Sequence, residues 1–216
     1  MAPTYNPDVF NVRDIPQAMR IILTAEDSTT EARWQTETPH VCDLIARAID
    51  LKPGSFVLDY GCGIGRIAKE LIARHGCHVI GVDISPAMRV LSVVYVQSNL
   101  FASCTPRMLA AMSERCFRFD AAVSIWVLQH CPSPTYDIAL LRGALAPGGR
   151  LFVLNNTTRA VPTVDAGWHD DKVDIKAMLT GEFDLMDQGR LAPDKTTNLI
   201  MQRTFWASFA QRGQAG

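Results

Sequence analysis

Val57-Leu58-Asp59-Tyr60-Gly61-Cys62-Gly63-Ile64-Gly65-Arg66 is the stretch that decides the fold. A short apolar run ends in a carboxylate, glycines alternate with other residues, and a helical pattern begins at Ile67. That order spells strand, tight turn and helix, with glycines letting a ligand approach the backbone. Two details argue against a dinucleotide. Its fingerprint places glycine at the first, third and sixth positions, and counted from Gly61 the sixth is Arg66. Asp59 also stands where a carboxylate repels a pyrophosphate and attracts an amino group or a cation. No Gly-Lys-Ser/Thr follows, so the loop is not a Walker phosphate cradle. A cationic, nucleoside-bearing cofactor fits this loop better than a dinucleotide or a nucleoside triphosphate.

Outward from the loop the chain alternates. Helical spacing predicts helices at Ile67 to His75, from Ser85-Pro86 onward, at Pro106 to Arg115 and around Thr135 to Ala144. Short apolar runs at Phe56 to Asp59, Val79 to Val82, Leu100 to Cys104, Ala121 to Val127 and Leu151 to Leu154 read as strands. Strand–helix repeats with apolar strands imply a parallel sheet covered on both faces. Upstream, Pro16 to Leu23 reads as a short helix. Thr38 and Pro39 read as the N-cap and first position of another, whose Val41, Leu44, Ile45, Ala48 and Ile49 share one face. Downstream, Ala160 to Lys172 is polar and turn-rich. Phe183 to Leu191 and Leu199 to Phe209 read as strands pairing in an antiparallel hairpin. The fold class expected is α/β, a Rossmann-like doubly wound, mostly parallel seven-stranded sheet. One domain spans 1–216, with an N-terminal helical lid (1–50), a cofactor-binding core (55–155), and a substrate-side insertion with the hairpin (156–216).

Composition sets the outer bounds. The 216 residues suffice for one ordinary core, and 48% hydrophobic with 20% charged residues is globular. A formal net charge of -1 offers no global attraction to nucleic acid or anionic membrane. No apolar run reaches the roughly 18 residues of a membrane span. Met1 to Phe10 lacks a basic-then-apolar leader, and Cys42, Cys62, Cys77, Cys104, Cys116 and Cys131 form no Cys-x-x-Cys pair. A cytoplasmic protein with free thiols and no zinc or iron–sulfur site is the expectation.

In an open parallel sheet, ligands sit beyond the carboxyl ends of the strands. Strand one delivers Asp59 and the glycine loop there. Strand two delivers Asp83, about 20 residues further on, where an acid accepts both ribose hydroxyls. Ile84 beside it can lie flat on an adenine ring. Asp83 also reads as a helix N-terminal acid near Ser85, favoured by the helix dipole.

With VLDYGCGIGR, GVDIS, FDAAVSIWVLQH and LAPGGRLFVL in that order, the chain resembles a class I S-adenosylmethionine-dependent methyltransferase of the small type 11/12 group. The resemblance covers roughly Phe56 to Leu154, and the C-terminal hairpin also fits that family's last strands. It implies S-adenosyl-L-methionine as cofactor. Asp59, Gly61, Cys62, Gly63 and Gly65 would surround its methionine part, Asp83 and Ile84 its nucleoside, and Ser124, Ile125 and Trp126 would lie under its sulfonium. Family members place an acid after strand three for the adenine amine. Here Ala102 to Pro106 offers none, leaving a backbone carbonyl or the Thr105 hydroxyl.

Methyl transfer asks the protein mainly for in-line positioning and control of water, and for a base when the nucleophile must lose a proton. His130, following strand four, is the candidate base, with a structural hydrogen bond or N-cap as its other reading. Tyr5, Trp34, Asn155, Asn156, Trp168 and His169 are candidates to line an acceptor pocket, or simply to pack. Asp165, His169, Asp170 and Asp171 are better read as a solvated loop than as metal ligands. Ser124 to Trp126 stand where metal-dependent catechol-type methyltransferases place an acid. The expected activity is methyl transfer to oxygen or nitrogen of a small molecule. A protein or RNA methyltransferase, or a cofactor-binding protein without turnover, remains the alternative. The near-neutral charge argues against nucleic acid, and oligomeric state is not legible.

Overall fold

The apolar runs do become parallel strands. The computed structural model describes residues 3–21 and 29–212. Strands β1 (Phe56–Tyr60), β2 (His78–Val82), β3 (Phe101–Cys104), β4 (Phe119–Ile125) and β5 (Leu145–Asn156) pair in parallel. Two short strands, β6 (Val161–Thr163) and β7 (Gly167–His169), form a separate antiparallel ribbon. Then β8 (Phe183–Gly189) and β9 (Thr204–Gln211) complete a seven-stranded sheet of order β3-β2-β1-β4-β5-β9-β8, with β9 antiparallel to both neighbours.

Nine helices accompany the strands among the described residues. They are α1 (Ile15–Arg20), α2 (Thr30–Ala32), α3 (Thr38–Ala48), α4 (Arg66–His75), α5 (Pro86–Val96), α6 (Pro106–Glu114), α7 (Pro134–Ala144), α8 (Ile175–Glu182) and α9 (Asn198–Arg203). Side chains alternate across the sheet. Along β1, Leu58 and Tyr60 join the core with Leu141, Leu179 and Phe183 on the α7–α8 side. Val57 joins Val41, Ile45 and Leu71 under α3 and α4. A third cluster seats Val12 and Ala18 against Ile64 of the glycine loop and Met88 of α5.

Several expectations change. Thr38 is not an N-cap: its backbone is already helical, and its hydroxyl donates to the Arg33 carbonyl at 3.0 Å. The helix starts at Thr30, capped by Thr29, and passes through a π turn at Arg33–Glu37 before Pro39. That wider turn suits a proline, which has no N–H to give and crowds the carbonyl four residues back. Within the segment expected as a lid, α3 packs its Val41 and Ile45 into the core under the sheet. The strand expected to reach Val127 stops at Ile125, since Trp126 turns to a left-handed φ of 64°. Leu199 to Arg203 is helical rather than extended, with Thr197 as N-cap. The polar stretch 160–172 holds the β6–β7 ribbon, and α8 was hidden between turn-rich segments. The first helix is α1, and residues 22 and 23 lie outside the described residues.

Candidate active site

The glycine loop is tied to the end of β2. Gly61 and Cys62 both donate their N–H to the Val82 carbonyl, at 2.7 and 3.0 Å. Gly61 has φ 77°, and a Cβ there would lie 2.2 Å from a Val127 methyl, so only glycine lets the loop rest on the segment after β4. Gly63 has φ 54° and open space within 4 Å of where a Cβ would be. Gly65, at φ 82°, is the N-cap of α4.

Asp83 ends β2 beneath this loop. Its Oδ2 accepts the Gly63 N–H at 2.9 Å and its Oδ1 the Ser85 N–H at 2.8 Å, and each oxygen keeps a lone pair for a further donor. Burial raises its pKa against the lowering effect of those N–H groups. Both sequence readings of Asp83 are therefore compatible with this geometry. Ile84 beside it is 47% exposed, an unusual position for an isoleucine.

Asp59 accepts an N–H from Ala68, while its buried Oδ2 has no partner among the described residues. Burial, helped by the nearby Asp83 charge, pushes its pKa up to about 7. At the end of β4, Ser124 Oγ and Trp126 Nε1 are likewise buried without partners among the described residues. Orphaned polar atoms in a folded core are uncommon, and alternation along the strands places Asp59 on the α3–α4 face with Val57 and Ser124 on the opposite face with Ala122. Ile125 is buried between Ser124 and Trp126, and the Trp126 N–H donates to the Leu154 carbonyl at 2.7 Å. Left-handed backbone at a tryptophan is strained, as functional positions often are. A buried acceptor, an open glycine face and a second acid fit a ligand with an ammonium group and a ribose.

Thr105 is the N-cap of α6, accepting the Met108 N–H at 3.1 Å. That bond occupies one lone pair of the hydroxyl and leaves the other free.

His130 lies in the turn after β4. Its Nδ1 is 2.7 Å from the Ala160 carbonyl, so it is the protonated nitrogen. Gln129 Oε1 accepts the Asn156 N–H at 3.0 Å, which turns the Gln129 amide NH2 toward His130 Nε2 at 3.2 Å. The ring is thus neutral, in keeping with a pKa that burial lowers. Phe10 and Trp168 pack against it, with ring centroids at 5.8 and 5.3 Å.

The other candidate lining residues divide. Tyr5 bridges to Thr163 of β6, bringing the N-terminal segment toward the rim, where burial and the nearby Cys131, Asp137 and Asp83 push its pKa up to about 12. Trp168 is exposed and touches His130, and His169 ends β7. Asn155 is buried and accepts the Gln129 N–H at 3.1 Å, and Asn156 ends β5. Trp34 lies beneath the Arg66 guanidinium, 5.2 Å from its ring centroid. In the acidic loop Asp171 pairs with Arg159 and Asp170 with Lys172. All six cysteines are free thiols.

Two clusters escaped the sequence reading. Arg33 and Glu37 form a buried ion pair with contacts of 2.8 and 3.1 Å, Arg66 stands 3.8 Å from the same carboxylate, and Arg33 lies 5.0 Å over the Trp126 ring. The i, i+4 spacing of Arg33 and Glu37 was the available signal, yet it ordinarily marks a solvated face. Tyr60 donates to Asp137 on the opposite side of the sheet, which nothing in a linear reading brings together.

Fold and site together define a Rossmann-like α/β protein with a glycine loop and the acids Asp59 and Asp83 gathered at its strand ends. The methyltransferase domain family matches residues 33–178, and the chain belongs to that family. It is 33% identical over 122 residues to the ubiquinone biosynthesis O-methyltransferase of Xylella fastidiosa (strain 9a5c), covering 55% of this chain and 49% of that protein. The corresponding protein of Xanthomonas oryzae pv. oryzae (strain PXO99A) matches at the same identity, over 50% of its length. The chain spans about half the length of the curated relatives it matches. Among solved structures, the N-methyltransferase NodS from Bradyrhizobium japonicum WM9 shares the fold with a TM-score of 0.59 at 16% identity, covering 82% of this chain and 87% of that one. The [4+2]-cyclase SpnF shares it with a TM-score of 0.61 at 18% identity, covering 82% and 81%. No described helix is long and apolar enough to cross a membrane.

Proposed function

We propose that this chain is an S-adenosylmethionine-dependent methyltransferase acting on an oxygen or nitrogen of a small-molecule acceptor. The observation that carries the reading is the convergence of the unpartnered Asp59 Oδ2, the open face of Gly63 and the Asp83 carboxylate at one rim. Membership of the methyltransferase domain family supports it, and the relatives' name favours oxygen.

In this reading Asp59 receives the ammonium of the methionine part, with Gly61, Cys62, Gly63 and Gly65 presenting backbone to it. Asp83 accepts the ribose hydroxyls, Ile84 covers one adenine face, and Thr105 or a neighbouring carbonyl accepts the adenine amine. Ser124, Ile125 and Trp126 form the floor below the reacting sulfur. When bound, the cofactor supplies a methyl group already activated on a cationic sulfur. The protein's remaining work is alignment, exclusion of water and, for a hydroxyl, removal of a proton. His130 serves as that base through Nε2, after release from Gln129. The segment before α3 closes over the site as a lid, the rest of 1–216 forms one catalytic unit, and the free thiols suit a cytoplasmic setting.

Incubation of the purified protein with methyl-labelled S-adenosylmethionine and a small-molecule cell extract tests this. Transfer of label to a low-mass product is the expected result. Tight cofactor binding with no transfer to any fraction would instead support binding without turnover. That second reading rests on the shared fold of SpnF, named as a cyclase, and on a His130 whose two ring nitrogens are both engaged.

A further inference from the structure

A cavity of about 430 Å³ opens at the carboxyl-end rim of the sheet, lined by Thr157, Asp174, Lys176, Arg190 and Phe205 among others. Its size lies within the ordinary range for small-molecule pockets. The strand register fixes its position. Ile125 pairs with Leu154 and Leu154 with Trp206, so Phe205, which pairs with Asn155, stands level with Trp126 two strands across. Two strand spacings place the cavity floor roughly 10 Å from the end of β4, on the same carboxyl-end rim.

The charges in this cavity do not cancel. Lys176 makes no ion pair among the described residues, and its Nζ sits 5.9 Å from the Phe205 ring centroid. It occupies the first turn of α8, where the helix dipole disfavours a cation. Arg190 uses Nη1 on the carbonyls of Met201 and Gln202, at 2.9 and 2.6 Å, and pairs with no acid among the described residues. The one acid in the lining, Asp174, spends Oδ1 on the Ala177 N–H as the cap of α8.

We infer that the cavity between Lys176 and Arg190 holds an anionic group, a carboxylate or a phosphate, at the far end of the methyl acceptor. The inference rests on the methyltransferase reading for the identity of the ligand as acceptor. An acceptor of this kind spans about 10 Å from its anion to the atom that takes the methyl group. Phe205 offers an apolar floor to the body of the molecule, while the two cations fix its orientation and exclude neutral analogues.

Calorimetric titration of the intact protein with phenyl phosphate, benzoate and the neutral control benzyl alcohol tests this, each with and without S-adenosylhomocysteine. Saturable binding of one anionic probe, with benzyl alcohol at least tenfold weaker, is expected, and the tighter anion identifies the group. Lys176→Glu should weaken that probe about tenfold or more and Lys176→Arg should restore it, the scale for one charge-assisted hydrogen bond. Probe and S-adenosylhomocysteine should bind together. Equal affinity for anion and alcohol, indifference to Lys176→Glu in protein that keeps its circular dichroism, or displacement of the probe by S-adenosylhomocysteine would overturn the inference. Anion binding without any S-adenosylhomocysteine binding would instead refute the methyltransferase reading, so the two failures are distinguishable.

Discussion

Gly63 donates its backbone N–H to Asp83 Oδ2 at 2.9 Å, so the turn after β1 is held by the acid that ends β2. One carboxylate thereby shapes the glycine loop and, on the proposed reading, also accepts the ribose hydroxyls. Asp83→Ala should weaken S-adenosylmethionine binding by about 1–3 kcal/mol, the scale for charged hydrogen bonds. Asp83→Asn keeps one acceptor oxygen and should lie between. Calorimetry showing unchanged affinity for Asp83→Ala would remove this residue from the site.

On the proposed reading, in which Asp59 receives the donor's ammonium group, donor binding should depend on pH. With its pKa near 7 in the folded protein against 3.8 unfolded, the native state retains a proton that the unfolded state releases. Its contribution to stability is fully present below about pH 4 and is lost as pH rises through 7. A bound ammonium group favours the carboxylate and therefore expels that proton. S-adenosylmethionine affinity should rise from pH 6 to 7 by up to about tenfold, the limit for release of one proton. Asp59→Asn should flatten this dependence and be stabilised relative to the parent as pH climbs from 4 to 8. Titrations in buffers of different ionisation enthalpy, read beside urea denaturation, check both effects.

His130 carries the opposite sign. Burial holds its folded pKa below 6.5, so the unfolded state takes up a proton first as pH falls. Its contribution to stability is complete above 6.5 and is lost as pH falls below that value. If its Nε2 removes the acceptor's proton, kcat at saturating donor should fall on the acid side below 6.5, and His130→Gln should abolish that limb while sparing donor affinity. The Asp59 effect acts on donor binding and disappears from kcat at saturation, so the two limbs separate. An unaltered kcat profile in His130→Gln would leave the residue structural.

Much of this site was legible because the parallel strands are written as local apolar runs. The turn at Gly61, the cap at Ser85 and the acid at Asp83 follow from neighbours in sequence. What stayed hidden depends on contacts made at a distance. Trp126 leaves the strand by a left-handed φ of 64° that no local apolar pattern announces, and Leu199 to Arg203 coils although its apolar content suits a strand. His130 was visible as a candidate, but its tautomer is set by Gln129, Asn156 and Ala160 together. Arg33 and Glu37 went unread because their burial comes from packing near Trp126 and Arg66, far away in sequence.

The last prediction concerns that buried pair. Arg33 and Arg66 both face Glu37, whose Oε1 is 2.8 Å from one guanidinium and 3.8 Å from the other. Burial lowers the pKa of Arg66 to about 10, against the raising influence of the Glu37 charge. Removing the carboxylate takes from two buried guanidiniums the charge they share. Glu37→Gln should therefore cost about 3–5 kcal/mol, the range for breaking one side of a buried ion pair. An exposed pair of the same spacing gives about 0.3–0.5 kcal/mol, so the two cases differ enough to be told apart by urea denaturation. Glu37→Gln combined with Arg33→Met removes one cation along with the anion and should recover part of the loss, because only the Arg66 guanidinium then loses its carboxylate partner. A Glu37→Gln loss below about 1 kcal/mol would mean that the carboxylate is effectively solvated and that the pair contributes as a surface pair does.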